Sequence, residues 1–130
     1  MSVPELTGSL AGRAMQAVID ALGEAGIDAI ADVGAFFPQP VGVLVAPPAL
    51  TRRGLASATY SVPVRIVSGD PLNSLLAVDR LYSLADAVAL AVSANVYSPS
   101  SFQGGANAEP LPAVELVATV TLTYQEVSPL

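Results

Sequence analysis

Apolar residues between Asp70 and Ala94 recur with the period of a helix. Leu81, Leu84, Ala85, Val88 and Val92 fall at i, i+3, i+4, i+7 and i+11, and Asp79, Ser83 and Asp86 mark a second, wetter face. Asp70 is placed to cap this helix, with Pro71 at its first position, where a missing N–H is no loss. At 1.5 Å per residue such a helix runs roughly 35 Å, enough to cross a small sheet. An earlier stripe, Leu6, Leu10, Ala14, Val18, Leu22 and Ala25, opposes Ser9, Arg13, Gln16, Asp20 and Glu24. It predicts an amphipathic helix that Gly26 ends. Ser2-Val3-Pro4-Glu5 has the spacing of a capping box, although Gly8 and Gly12 weaken the first turns and favour a later start.

Elsewhere the period shortens to two. Residues 27–33 alternate Asp28, Ile30 and Asp32 with Ala29, Ala31 and Val33, as a short strand would. Residues 41–46 are continuously apolar and read as a strand buried on both faces, stopped by Pro47-Pro48. Thr51-Arg52-Arg53-Gly54 reads as a polar loop tip. Residues 56–67 alternate again, with Ala58, Tyr60, Val62, Val64 and Ile66 on one side and Arg65 on the other. Pro63 cannot donate to a ladder, so an edge or a bulge is expected there. Residues 95–102 are strand-like, 103–107 form a turn, and 113–127 are the clearest strand of all. The expected order is α-β-β-β-α-β-β in one domain over residues 1–130. That is an α+β fold with a single mixed or antiparallel sheet and both helices on one face.

Composition changes this picture in one respect. The chain has 130 residues, 52% of them hydrophobic before its ten glycines are counted, and 12% charged. The charged share is half the usual fraction of about 25%. Too few charges remain to cover an isolated domain, which points to surface buried against other subunits. No run reaches about 18 uncharged apolar residues, so no membrane span is expected. Met1-Ser2-Val3-Pro4-Glu5 has neither a basic nor an apolar signal region. The net charge is −6, all five basic residues are Arg, and no basic stripe suited to nucleic acid is visible.

The chemical inventory is narrow. There is no His, Cys or Lys, which removes the commonest general base, thiolate chemistry, Schiff bases and His/Cys zinc sites. No phosphate-cradling P-loop or nucleophile elbow occurs, and no cofactor is expected. Asp28 with Asp32, and Asp79 with Asp86, are either acid/base or cation pairs, or solvated faces. The second reading is favoured, because neither pair has a third ligand near it in sequence. Ser98-Pro99-Ser100-Ser101 has no base to activate a hydroxyl and reads as a turn. Phe36-Phe37 either anchors a partner or plugs the protein's own core, with the plug favoured.

Several segments together resemble the tail terminator proteins of long-tailed bacteriophages, in the form found among phages of actinobacteria. They are Leu22-Gly23-Glu24-Ala25-Gly26-Ile27 followed by an acidic stretch, and Pro40-Val41-Gly42-Val43-Leu44-Val45-Ala46-Pro47-Pro48 with a Thr/Arg/Gly stretch after it. Thr59-Tyr60-Ser61-Val62-Pro63-Val64, the Leu/Ala/Val-rich helix and Pro110-Leu111-Pro112-Ala113-Val114-Glu115-Leu116 complete the set. The resemblance covers nearly the whole chain and rests on pattern, without a chemical signature. It implies a homo-oligomeric, typically hexameric ring in the virion, assembled in the host cytoplasm. Such a ring caps the tail tube protein, ends its polymerisation, and offers a docking surface to the neck or head-completion protein. Genomic DNA passes through its lumen without specific binding. The scarcity of charge departs from the charged docking ends usual in such rings. Arg52, Arg53, Arg65, Phe36 and Phe37 are the expected subunit-interface residues. Another neck component, an adaptor or stopper, is the nearest alternative. A ligand-binding or enzymatic α+β domain using its carboxylates is the alternative of a different class.

Overall fold

A computed structural model describes residues 9–36, 38–104 and 108–123. Helix α1 spans Leu10–Glu24. The Ser2–Glu5 capping box lies outside the described residues, and the helix starts at Ser9, whose Oγ accepts from the Gly12 N–H at 3.0 Å. Its far end closes as the sequence predicts. Gly26 takes φ +80, and the Gly26 and Ile27 amides donate to Gly23 and Leu22, a Schellman closure. Ala14, Val18 and Leu22 are buried on its inner stripe.

The sheet contains β1 (Val41–Val45), β2 (Ala49–Arg53), β3 (Ser57–Ser68), β4 (Ser98–Phe102) and β5 (Leu111–Thr123), all antiparallel. Helix α2 (Leu75–Ala91) lies between β3 and β4 in the chain, so the element order is α-β-β-β-α-β-β. The strand order is β1-β3-β5-β4, with β2 on the same side of β3 as β1. β1 pairs with residues 64–68 of β3, and β2 with residues 58–61. Ala46-Pro47-Pro48 separates them, and Pro63 falls at this break. Its carbonyl accepts from the Ala46 N–H, and its lack of an N–H costs no regular ladder bond.

Two expectations about strands are corrected. Residues 27–33 form no strand. Ile30 makes one parallel bridge to Leu44, and Asp32 then caps a short 3-10 turn, Val33–Ala35. The stretch from Thr51 to Arg53 is no loop tip but the end of β2, with a register shift between Leu50 and Arg52. The last stretch of the 113–127 strand lies outside the described residues, as does part of the 103–107 turn.

Helix α2 is also shorter than expected. Its cap is Ser74, whose Oγ accepts from the Ala77 N–H, so neither Asp70 nor Pro71 belongs to the helix. The Asp70 backbone instead closes a small turn on the Ser68 hydroxyl. Leu81, Ala85 and Val88 are fully buried, while Leu84 and Val92 are half-buried at the margin. Asp79, Ser83 and Asp86 are exposed, as expected.

Both helices cover one face of the sheet. There the even-numbered residues of β3 from Ala58 to Ile66 and Val114, Leu116, Ala118 and Leu122 of β5 meet Ala14, Val18, Leu22, Leu81, Ala85 and Val88. The other face carries a smaller cluster, Leu44, Val67, Phe102 and Ala113, with Ile30 and Phe36 laid over it. β1 is thus buried on both faces, and its continuous apolar run reflects that. The covering loop is tied down where the Gly69 N–H donates to the Pro40 carbonyl at 2.7 Å. A Cβ at Gly69 would fall inside contact distance of the Pro38 carbonyl, so only glycine fits.

Candidate functional site

Four of the five expected interface residues fall among the described residues, on three different segments. Arg52 and Arg53 end β2, whose five residues are all exposed. The register places Arg52 opposite Thr59 and Arg53 opposite Ala58, so they point to opposite faces of the strand. Neither forms a salt bridge with a described residue. Arg65 sits directly across from Glu115 in the β3–β5 ladder, with its Nε 3.9 Å from a Glu115 oxygen. Phe36 packs edge-on against Phe102 with ring centres 5.3 Å apart, which places it as a plug of the second cluster. Phe37 lies outside the described residues.

The carboxylates paired in sequence meet different partners in the fold. Without a strand at 27–33, Asp28 and Asp32 do not share a strand face, and an Asp32 oxygen accepts from the Gly34 N–H. Asp86 accepts a short hydrogen bond from the Tyr97 hydroxyl, while Asp79 stands a turn or two away on the exposed face. That bond, then partial desolvation and the Asp86 charge, push the Tyr97 pKa above its ordinary 10.0. The Tyr97 ring also leans on Tyr82, with centres 5.9 Å apart. Among the described residues no three His, Cys, Asp or Glu side chains gather where a metal ion would sit. Ser98-Pro99-Ser100-Ser101 is not a turn but most of β4.

The feature that sequence reasoning missed is a pair of open sheet edges. β4 pairs with residues 111–115 of β5 and no further. Along that side residues 117–123 have no ladder partner among the described residues, and neither does the outer side of β2. Grooves lie beside the open half of β5. One, of about 310 Å³, is lined by residues 95–98 and 115–117. Another, of about 180 Å³, lies between Ala17, Ala21, Val92 and the 118–120 segment. Val96 and Leu90, near the C-terminal end of α2, are 78% and 83% exposed.

No protein-family model matches the chain, and no curated protein does at a significant level.

The geometry therefore speaks through its surfaces. The smaller groove is lined mostly by alanine and valine, while the larger mixes Val96, Leu116 and Val117 with Asn95, Tyr97, Ser98 and a single carboxylate, Glu115. An arrangement of this kind can bind extended chain or a packed partner. In the larger groove Ser98 stands directly across from Glu115 in the β4–β5 ladder. No helix among the described residues is long and apolar enough to cross a membrane.

Proposed function

We propose that this chain is a tail-terminator-like structural component of a long-tailed phage virion. In this reading it is a non-enzymatic subunit of a homo-oligomeric ring on the head-proximal end of the tail tube. The ring ends polymerisation of the tube protein and presents a docking surface to the neck. The observation that carries the reading is the order of the segments bearing the resemblance, which fall on successive elements. The 22–27 stretch closes α1, 40–48 contains β1 and the proline break, the Thr/Arg stretch ends β2, 59–64 is the middle of β3, and 110–116 opens β5. The low charge content supports the oligomeric part of this reading, because a surface with few charges suits burial between copies.

Isolated tail tubes mixed with the purified protein test it. Negative-stain images are expected to show ring-shaped density on one end of each tube, and tubes so capped should not lengthen when tube protein is added. Tubes with bare ends that keep growing overturn the assignment. An adaptor or stopper would leave tube growth unaffected, and a ligand-binding domain would stay monomeric and ignore tubes.

A further inference from the structure

We infer that two copies of this chain join strand to strand, with β2 of one copy adding to the open half of β5 in the next. Its role as the seam of a ring rests on the reading above, while the pairing itself is a property of the chain alone. An unpaired strand edge is a template for another strand, and proteins usually blunt it with proline, a charge or a covering loop. Residues 117–123, Val-Ala-Thr-Val-Thr-Leu-Thr, contain no proline and no charge, and no described strand pairs with their outer edge. β2 offers the complementary piece. It has five exposed residues, about 17 Å of strand, against about 23 Å of open edge at 3.3 Å per residue.

Side chains favour the same match. Leu50, 47% exposed, lies opposite Tyr60 and so points to the helix-covered side of the sheet. The groove of Ala17, Ala21 and Val92 opens beside the β5 edge on that same side, and small residues leave room there for a leucine. Arg52 and Arg53 have no salt bridge with a described residue of their own copy, and the receiving edge lies just beyond Glu115, which stands across from Arg65, with Asp86 held nearby through Tyr97. The two arginines thus approach an edge flanked by two carboxylates, one of them shared with Arg65. The two edges lie on opposite sides of β3, so the contact is head-to-tail, and repeating it yields a closed ring or a filament. Pairing β2 with β2 would stop at two copies and bring four guanidiniums together.

The chain has no cysteine, so introduced thiols report without background. Ala49 faces the open side of the sheet together with residues 117, 119, 121 and 123, and directly opposite cross-strand Cβ atoms, which come as close as about 4.5 Å, are within reach of a disulfide. Ala49→Cys protein mixed with Val117→Cys, Thr119→Cys, Thr121→Cys or Thr123→Cys protein should give a mixed disulfide under mild oxidation at one of these registers. Ala49→Cys mixed with Ser83→Cys should not. Adding Arg52→Glu and Arg53→Glu to the Ala49→Cys protein should cut the yield by about tenfold or more, with unchanged circular dichroism. If no register exceeds the Ser83 control, the strand-to-strand joint is overturned. Tube capping is scored separately on the cysteine-free protein, so a capping ring without the cross-link overturns the joint alone. A cross-link without capping keeps the joint and overturns the terminator assignment.

Discussion

Tyr97 is the residue whose surroundings make the sharpest chemical statement. Its hydroxyl donates to Asp86, and the hydrogen bond, desolvation and nearby negative charge all oppose loss of its proton. With the folded-state pKa raised, the stabilisation this bond gives is complete below the unfolded value near 10 and disappears as pH rises through the folded value. Subtracting the phenolate absorbance titration of a Tyr97→Phe variant from that of the parent should therefore give a midpoint above 10.0. Asp86→Asn should bring that midpoint back down, and a difference curve centred at or below 10 would show that the bond does not persist in solution. None of this is legible from spacing alone, since Asp86 and Tyr97 are 11 residues apart and meet only where the chain turns back after α2. Phe36 was legible only as a choice between anchor and plug. Its edge-on contact with Phe102 depends on β4 lying beside β5, a pairing that local pattern does not encode.

Among the elements, α2 separates core from surface most cleanly. Leu81→Ala removes a fully buried side chain from beneath the helix and should cost about 2–5 kcal/mol. Leu90→Ala, at a position 83% exposed, should stay within about half a kcal/mol in the isolated subunit. Urea denaturation of the two variants measures both, and equal losses would mean that α2 is rotated about its axis. The buried face of this helix was legible because a 3.6-residue period survives in sequence. Its ends were not. Ser74 and Asp70 are equally good caps by type, and the choice falls to Ser74 because the buried face begins only at Ala77 and Val78. At the other end Ser93 takes φ 59, a conformation usually left to glycine, so no glycine announces the stop. β2 was hidden for a related reason. All five residues are exposed, so no apolar alternation marks it, and only its ladder with β3 makes it a strand. Residues 27–33 show the converse, because their alternation has no strand beside it except for one bridge at Leu44.

At the scale of the molecule, the expected order of elements matches because β2 takes the place of the strand expected at 27–33, while the open edges depended on which strands fall short of their neighbours. The same scale governs how the protein meets DNA. Eleven carboxylates oppose five guanidiniums, and the net charge of −6 repels a phosphate backbone at long range. The strongest local exception is the Arg52–Arg53 pair, and its two side chains leave opposite faces of β2. Even if both reached phosphates, they would contribute a salt slope of only about −1.8, against about −5 to −9 for proteins making 6–10 such contacts. A strand-to-strand joint would draw the same two arginines toward Glu115 and Asp86 of a neighbouring copy, leaving less positive charge to face a lumen. In the ring reading proposed above, such a lumen would let DNA slide because little along it would hold on. Titrating fluorescently labelled duplex with the protein at physiological salt should accordingly show no change in anisotropy up to tens of micromolar. Lowering the salt should not rescue binding, because the repulsion lengthens along with any attraction as screening weakens. Micromolar affinity that strengthens as salt is removed and vanishes in an Arg52→Glu, Arg53→Glu variant would refute the sliding conduit and assign those arginines to the DNA backbone.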